Sequence, residues 1–202
     1  YSSALSGGVA VTVTDLWQDG AEPLTLVESH DDQWALLGTE GTRLIFSTQM
    51  GAPQGRVMAI DLADPEPAFA ELIPERADAV LRHGTAILGD RIVLAYMVDA
   101  RMVLERYRLD GTPDGSVDLP GAGTIALFQG EPGRDDGYFL FTSHKVPPTV
   151  LRLDVARNSV TPWQDPNLPV TLDDVVVEQR FYASTDGTRI PVFVIRRADV
   201  TG

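Results

Sequence analysis

The chain has 202 residues, 44% of them hydrophobic and 22% charged, which is enough apolar material for a packed core. Its formal net charge of −13 repels phosphate backbones and anionic lipid, so nucleic acid and membrane are poor partners. Without a cysteine, disulfides, thiolate metal sites and thiol catalysis are excluded.

The N-terminus shows no basic segment followed by an apolar stretch, and no apolar run is long enough to span a bilayer. The expected setting is soluble, cytoplasmic or periplasmic. The chain begins at Tyr1 rather than Met and is expected to be a trimmed, processed or partial product.

Short strands dominate. Val9, Val11 and Val13 alternate with polar or small residues, the period of two of a half-buried strand. Further strands are expected at Trp34–Gly38, Arg43–Thr48, Arg56–Leu62, Arg91–Val98, Met102–Leu109 and Thr124–Gln129. Tyr138–Ser143, Thr149–Asp154, Val175–Ala183 and Arg189–Arg197 complete the series. Between them lie Glu40-Gly41, Gly89-Asp90, Asp110-Gly111, Asp114-Gly115 and Asp186-Gly187, where glycine reaches positive φ without steric cost. Only Arg76–Arg82 reads as weakly helical.

The strands recur with a period of 46–48 residues. Leu44–Thr48 is followed by Val57–Leu62, Ile92–Tyr96 by Val103–Leu109, and Phe139–Ser143 by Val150–Asp154. Repeats of this length, with several strands each, predict an all-β propeller of four-stranded antiparallel blades. Residues 1–169 supply roughly three full blades plus partial ones. A propeller typically needs about four to eight, so more chain is expected before Tyr1. Exposed blade edges otherwise invite self-association. Beyond the proline-rich link Pro162–Pro169, residues 170–202 form a last strand or linker and a long hairpin about Asp186-Gly187.

That hairpin, Phe181-Tyr182-Ala183-Ser184-Thr185-Asp186-Gly187-Thr188-Arg189-Ile190-Pro191-Val192-Phe193, resembles one in the prolyl oligopeptidase family of serine peptidases. There it opens the α/β-hydrolase domain that follows the propeller. Asp64-Pro65-Glu66 with Leu72-Ile73-Pro74-Glu75, and Phe139–Ser143 with Pro147 and Pro148, are similar to further family stretches in the same order. The resemblance implies part of a seven-bladed propeller that gates and size-filters substrates. The parent would be an endopeptidase cutting short peptides after proline. It also implies a missing α/β-hydrolase domain as partner, carrying the catalytic Ser, Asp and His beyond Gly202. The alternative is a stand-alone propeller that binds proteins.

The residues present offer no chemistry of their own. Asp114-Gly115-Ser116-Val117-Asp118 comes nearest to a nucleophile elbow but lacks its second glycine, and reads as a hairpin turn. His30, His83 and His144 fall in separate stretches and read as structural. Asp135-Asp136-Gly137 and Asp173-Asp174 lack the spacing of a calcium loop. Gly51–Gly55 reads as a hairpin loop, and Arg101, Arg106, Arg108 and Arg152 as partners for nearby acids. No catalytic, cofactor-binding or metal-binding residue is expected, no cofactor, and no activity of the chain alone.

Overall fold

The computed structural model describes residues 2–4, 8–164 and 172–200, with backbone only at 2–4 and 83–85. Every regular element among them is a strand, and every sheet pairing is antiparallel. The chain divides into two compact units, Tyr1–Ala77 and Asp78–Gly202. No helix among the described residues is long and apolar enough to cross a membrane.

In the first unit, β1 (Ser2–Ala4), β2 (Val9–Val13) and β3 (Leu24–Val27) form a three-stranded sheet. Next, β4 (Trp34–Glu40), β5 (Arg43–Thr48), β6 (Arg56–Asp61) and β7 (Ala70–Ile73) form a four-stranded meander. Trp34, Leu44, Phe46, Met58 and Ile60 of the meander make a core, and Val9, Val11, Val13 and Leu26 pack against it. Phe69 completes an aromatic cluster with Trp34 and Phe46, at centroid distances of 4.7 and 5.8 Å. The close approach of Gly8 to the chain at His30 explains its missing side chain: a Cβ there would lie 1.9 Å from the His30 carbonyl oxygen.

The second unit repeats the meander. One sheet holds β8 (Val80–Leu88), β9 (Arg91–Val98), β10 (Arg101–Arg108) and β11 (Pro113–Val117). The next holds β12 (Gly123–Gln129), β13 (Asp136–Ser143), β14 (Thr149–Asp154) and β15 (Ser159–Pro162). Leu88, Val93, Ala95 and Leu104 of the former share one core with Ile125, Phe139, Phe141 and Leu153 of the latter. In β9 the consecutive residues Ile92–Tyr96 are all buried. Such a run, rather than an alternation, marks a strand covered on both faces. Burying a side chain such as Phe141 stabilises the fold by about 1.5–3 kcal/mol.

The first strand of each four-stranded sheet is irregular. Register shifts interrupt β4 between Leu36 and Gly38, β8 between Arg82 and Ala86, and β12 between Ala126 and Gln129. A bulge at this recurring place increases the local twist. Finally, β16 (Val175–Ala183) and β17 (Arg189–Arg197) pair over their full lengths as a two-stranded hairpin.

Three sequence expectations need correction. Arg76–Arg82 is not helical: Ala77 and Asp78 form a turn, and Val80 to Arg82 open β8 opposite Met97 to Ala95. The pairing of Val80 and Leu81 with a buried strand outweighs a weak local helix preference. Asp114-Gly115-Ser116 is not a hairpin turn but the middle of β11, where Gly115 at φ 89° sits beside a register shift. The turn is made earlier by Asp110-Gly111, with Gly111 N donating to Arg108 O at 2.9 Å. The strands β1, β3, β7, β8, β11 and β15 were not expected as strands. Most are short edge strands whose exposure erases the apolar alternation. The expected link Pro162–Pro169 lies largely outside the described residues; Pro162 itself closes β15.

Candidate functional site

The sequence candidates do not converge. His30 lies in the loop before β4 and belongs to the first unit. The backbone of His83 is in β8, and its side chain is outside the described residues. His144 is exposed in the loop after β13, its ring 5.8 Å from that of Phe193 in β17. Neighbouring Ser143 Oγ accepts hydrogen bonds from Lys145 N at 3.1 Å and Val146 N at 2.9 Å. The hydroxyl thus shapes a loop.

Several arginines and acids brace the sheets. Arg106 donates to Asp114 O at 2.6 Å and Val155 O at 2.7 Å, and its guanidinium lies 3.4 Å from the Asp114 carboxylate. Arg91 Nε donates to that carboxylate at 2.7 Å. This bond, helped by the charges of Arg106, Arg91 and Arg108, holds Asp114 below the usual carboxylate range. Asp136 accepts from Tyr138 at 3.1 Å, and its carboxyl is lowered first by that bond and then by the charges of Arg134 and Arg152. Asp174 lies in the turn before β16, where its carbonyl accepts from Ala198 N at 2.7 Å. Among the described residues no group of three His, Cys, Asp or Glu could hold a metal ion.

What the second unit does assemble is a joint between its sheets and its hairpin. A cleft of about 310 Å³ is lined by Ala100, Gly123, Thr124, Thr142, His144 and Phe193, among others. Three turns or strand ends contribute: the β9–β10 turn, the start of β12 and the end of β13. Gly123 must lack a side chain, because a Cβ would meet Thr142 O at 2.4 Å and the Phe141 ring at 2.6 Å.

The hairpin is fastened beside this cleft. Gln179 Nε2 donates to Asp99 O at 2.6 Å, and Arg189 Nη1 lies 3.1 and 3.2 Å from the two Asp99 carboxylate oxygens. The Arg189 guanidinium also stacks 3.4 Å from the centroid of Phe181. Within the hairpin, Glu178 accepts from Arg180 and Arg196, and these two bonds lower its carboxyl. The arrangement presents hydroxyls, an imidazole and an aromatic edge, but the geometry is that of a support. Sequence reading missed Asp99, Gln179 and Arg189, since no local pattern announces a pairing across 80 or 90 residues.

Known proteins share this pattern. A family model described as "Prolyl oligopeptidase, N-terminal beta-propeller domain" matches residues 3–166. The prolyl endopeptidase of Elizabethkingia miricola is 27% identical over 85% of this chain and 24% of its own length. That of Elizabethkingia meningoseptica is 28% identical over the same shares. The chain thus spans about a quarter of the length of these relatives. Among solved structures, a chain from a structural and mechanistic analysis of two prolyl endopeptidases superposes with a TM-score of 0.89 at 34% identity. That match covers 100% of this chain and 29% of the other. Prolyl oligopeptidase B from Galerina marginata shares the fold, with a TM-score of 0.84 at 22% identity over 97% of this chain and 29% of its own. The repeated four-stranded meanders and the family match over residues 3–166 lead to one conclusion: this chain belongs to the prolyl oligopeptidase N-terminal β-propeller family.

Proposed function

We propose that the chain is the substrate-gating and size-filtering part of a serine endopeptidase that cleaves short peptides after proline. In this reading residues 1–169 are blades of a seven-bladed ring. Residues 170–202 hold the last strand or linker and the opening hairpin of an α/β-hydrolase domain. The observation that carries it is the likeness, at 34% identity over the whole chain, to a prolyl endopeptidase that continues well beyond it. The hairpin supports the same reading, because β16–β17 lies past residue 166, where the propeller match ends.

The mechanism is steric and electrostatic. A ring of rigid sheets admits an extended peptide and excludes a folded domain, while the hydrolase domain carries out acyl transfer through Ser, His and Asp. The charge of −13 favours the approach of basic peptides.

The test pairs the 202-residue chain with the full-length gene product. Both are incubated with a fluorogenic Gly-Pro peptide and a serine-reactive fluorophosphonate. Cleavage and labelling by the full-length protein alone is the expected result. Silence of both would favour a stand-alone protein-binding propeller. Labelling of the short chain would reveal a nucleophile within it and overturn the proposal.

A further inference from the structure

The hairpin β16–β17 rests on the sheets of its unit through few contacts. Phe181, Tyr182, Ile190 and Ile195 are 40–54% exposed, and the cleft of about 310 Å³ opens beside Phe193, whose ring meets that of His144 at 5.8 Å. A two-stranded hairpin is at best marginally stable by itself. Its attitude therefore depends on the contacts it does make. Two of these, from Gln179 and Arg189, converge on Asp99.

The β9–β10 turn that presents Asp99 is unusual. Asp99 and Ala100 both take positive φ, 49° and 62°, as a tight hairpin turn of this hand requires. At other strand-connecting turns the left-handed conformation falls to glycine, as at Gly41, Gly89, Gly111 and Gly187, or to asparagine, as at Asn158. Ala has neither glycine's freedom nor the polar side chain that lets Asp tolerate this region. Strain of this kind persists where surrounding structure holds it and is concentrated at functional contacts. Here the turn aims one carbonyl at Gln179 and one carboxylate at Arg189, which is itself braced by Phe181.

We propose that the Asp99-Ala100 turn is a latch that fixes the attitude of the hairpin to the blades beside it, and that Asp99, Gln179 and Arg189 are positioning residues of that joint. The inference deepens the proposed function, resting on the reading that the hairpin opens the hydrolase domain. Closed, the latch holds that domain's first element against the blades. Released, it frees the hairpin from the β9–β10 turn, and the cleft supplies room for it to shift.

The experiment compares full-length wild type with Asp99→Asn/Gln179→Ala and, separately, with Arg189→Gln. Asparagine tolerates the left-handed conformation, so the turn is preserved while the ion pair is lost. Hydrogen exchange of the segments Val177–Ala183 and Ile190–Ile195 is read by mass spectrometry. The double variant is expected to exchange there about fivefold or more faster, with β9 and β13 unchanged. Relative kcat/KM on a long peptide of about 30 residues against a dipeptide reporter is expected to rise, as lid release admits the larger substrate. Unchanged exchange in the hairpin in both variants would overturn the latch, whatever the activity. An inactive wild type would instead sink the peptidase reading, while the exchange comparison still decides the latch.

Discussion

Arg106 Nη1 donates to the carbonyl oxygen of Val155 at 2.7 Å, so a side chain of one four-stranded sheet is bonded to the backbone just after β14 of the next. Val155 is fully buried, and the second nitrogen of the same guanidinium holds Asp114 O at 2.6 Å. Arg106→Met would keep much of the apolar stem and leave both carbonyls without this donor. Hydrogen bonds to charged groups contribute about 1.5–3 kcal/mol, and a loss of that size is expected in the unfolding free energy of the full-length protein, read from its denaturant titration. Arg106→Lys, with a single ammonium, should recover only part of it.

Acid should loosen the same place. Arg91 and the neighbouring cationic charges hold the Asp114 carboxyl below its ordinary value, so the folded protein binds this proton more weakly than the unfolded chain. The contribution is fully present above the unfolded value of about 3.9 and is lost as pH falls through the folded value. Asp114→Asn should therefore lower stability at neutral pH and flatten the acid limb of a melting-temperature profile. Parallel profiles for the two proteins would show that the ion pair contributes nothing to pH dependence.

Gly123 faces its limit in the β12–β13 pairing. A methyl group there would press on Thr142 O and the ring of buried Phe141. Gly123→Ala is expected to cost about 1–3 kcal/mol, the range for overpacking. Differential scanning calorimetry would record it as a lower transition, whereas Gly41→Ala, with open space at its Cβ, would report strain from its positive φ alone.

At the β9–β10 turn the opposite sign is expected. Ala100→Gly removes a left-handed alanine, a conformation costing about 1–2 kcal/mol, and restores the Asp-Gly pair that such turns favour. The greater freedom of glycine in the unfolded chain offsets about half of this. A rise of a few tenths to about 1 kcal/mol in stability should appear in urea titration, and a fall would show that the turn is held in place at no cost.

The sequence alone was enough for the inner framework. Leu44-Ile45-Phe46, Ile92–Tyr96 and Phe139–Phe141 are apolar runs, the first two preceded by glycine turns at Gly41 and Gly89, and local period and turn chemistry act over a few residues. The repeat of these runs placed the blades, and the Asp186-Gly187 hairpin placed the resemblance. What the tertiary structure decided lies where partners are distant. The edge strands β7, β11 and β15 exist because a neighbouring strand supplies hydrogen bonds, not because Ala70–Ile73 or Ser159–Pro162 favours extension strongly. Val80–Arg82 became a strand for the same reason. The roles of Arg106, Asp99 and Arg189 depend on contacts spanning 49 to 90 residues, whose geometry is fixed only once the sheets have packed.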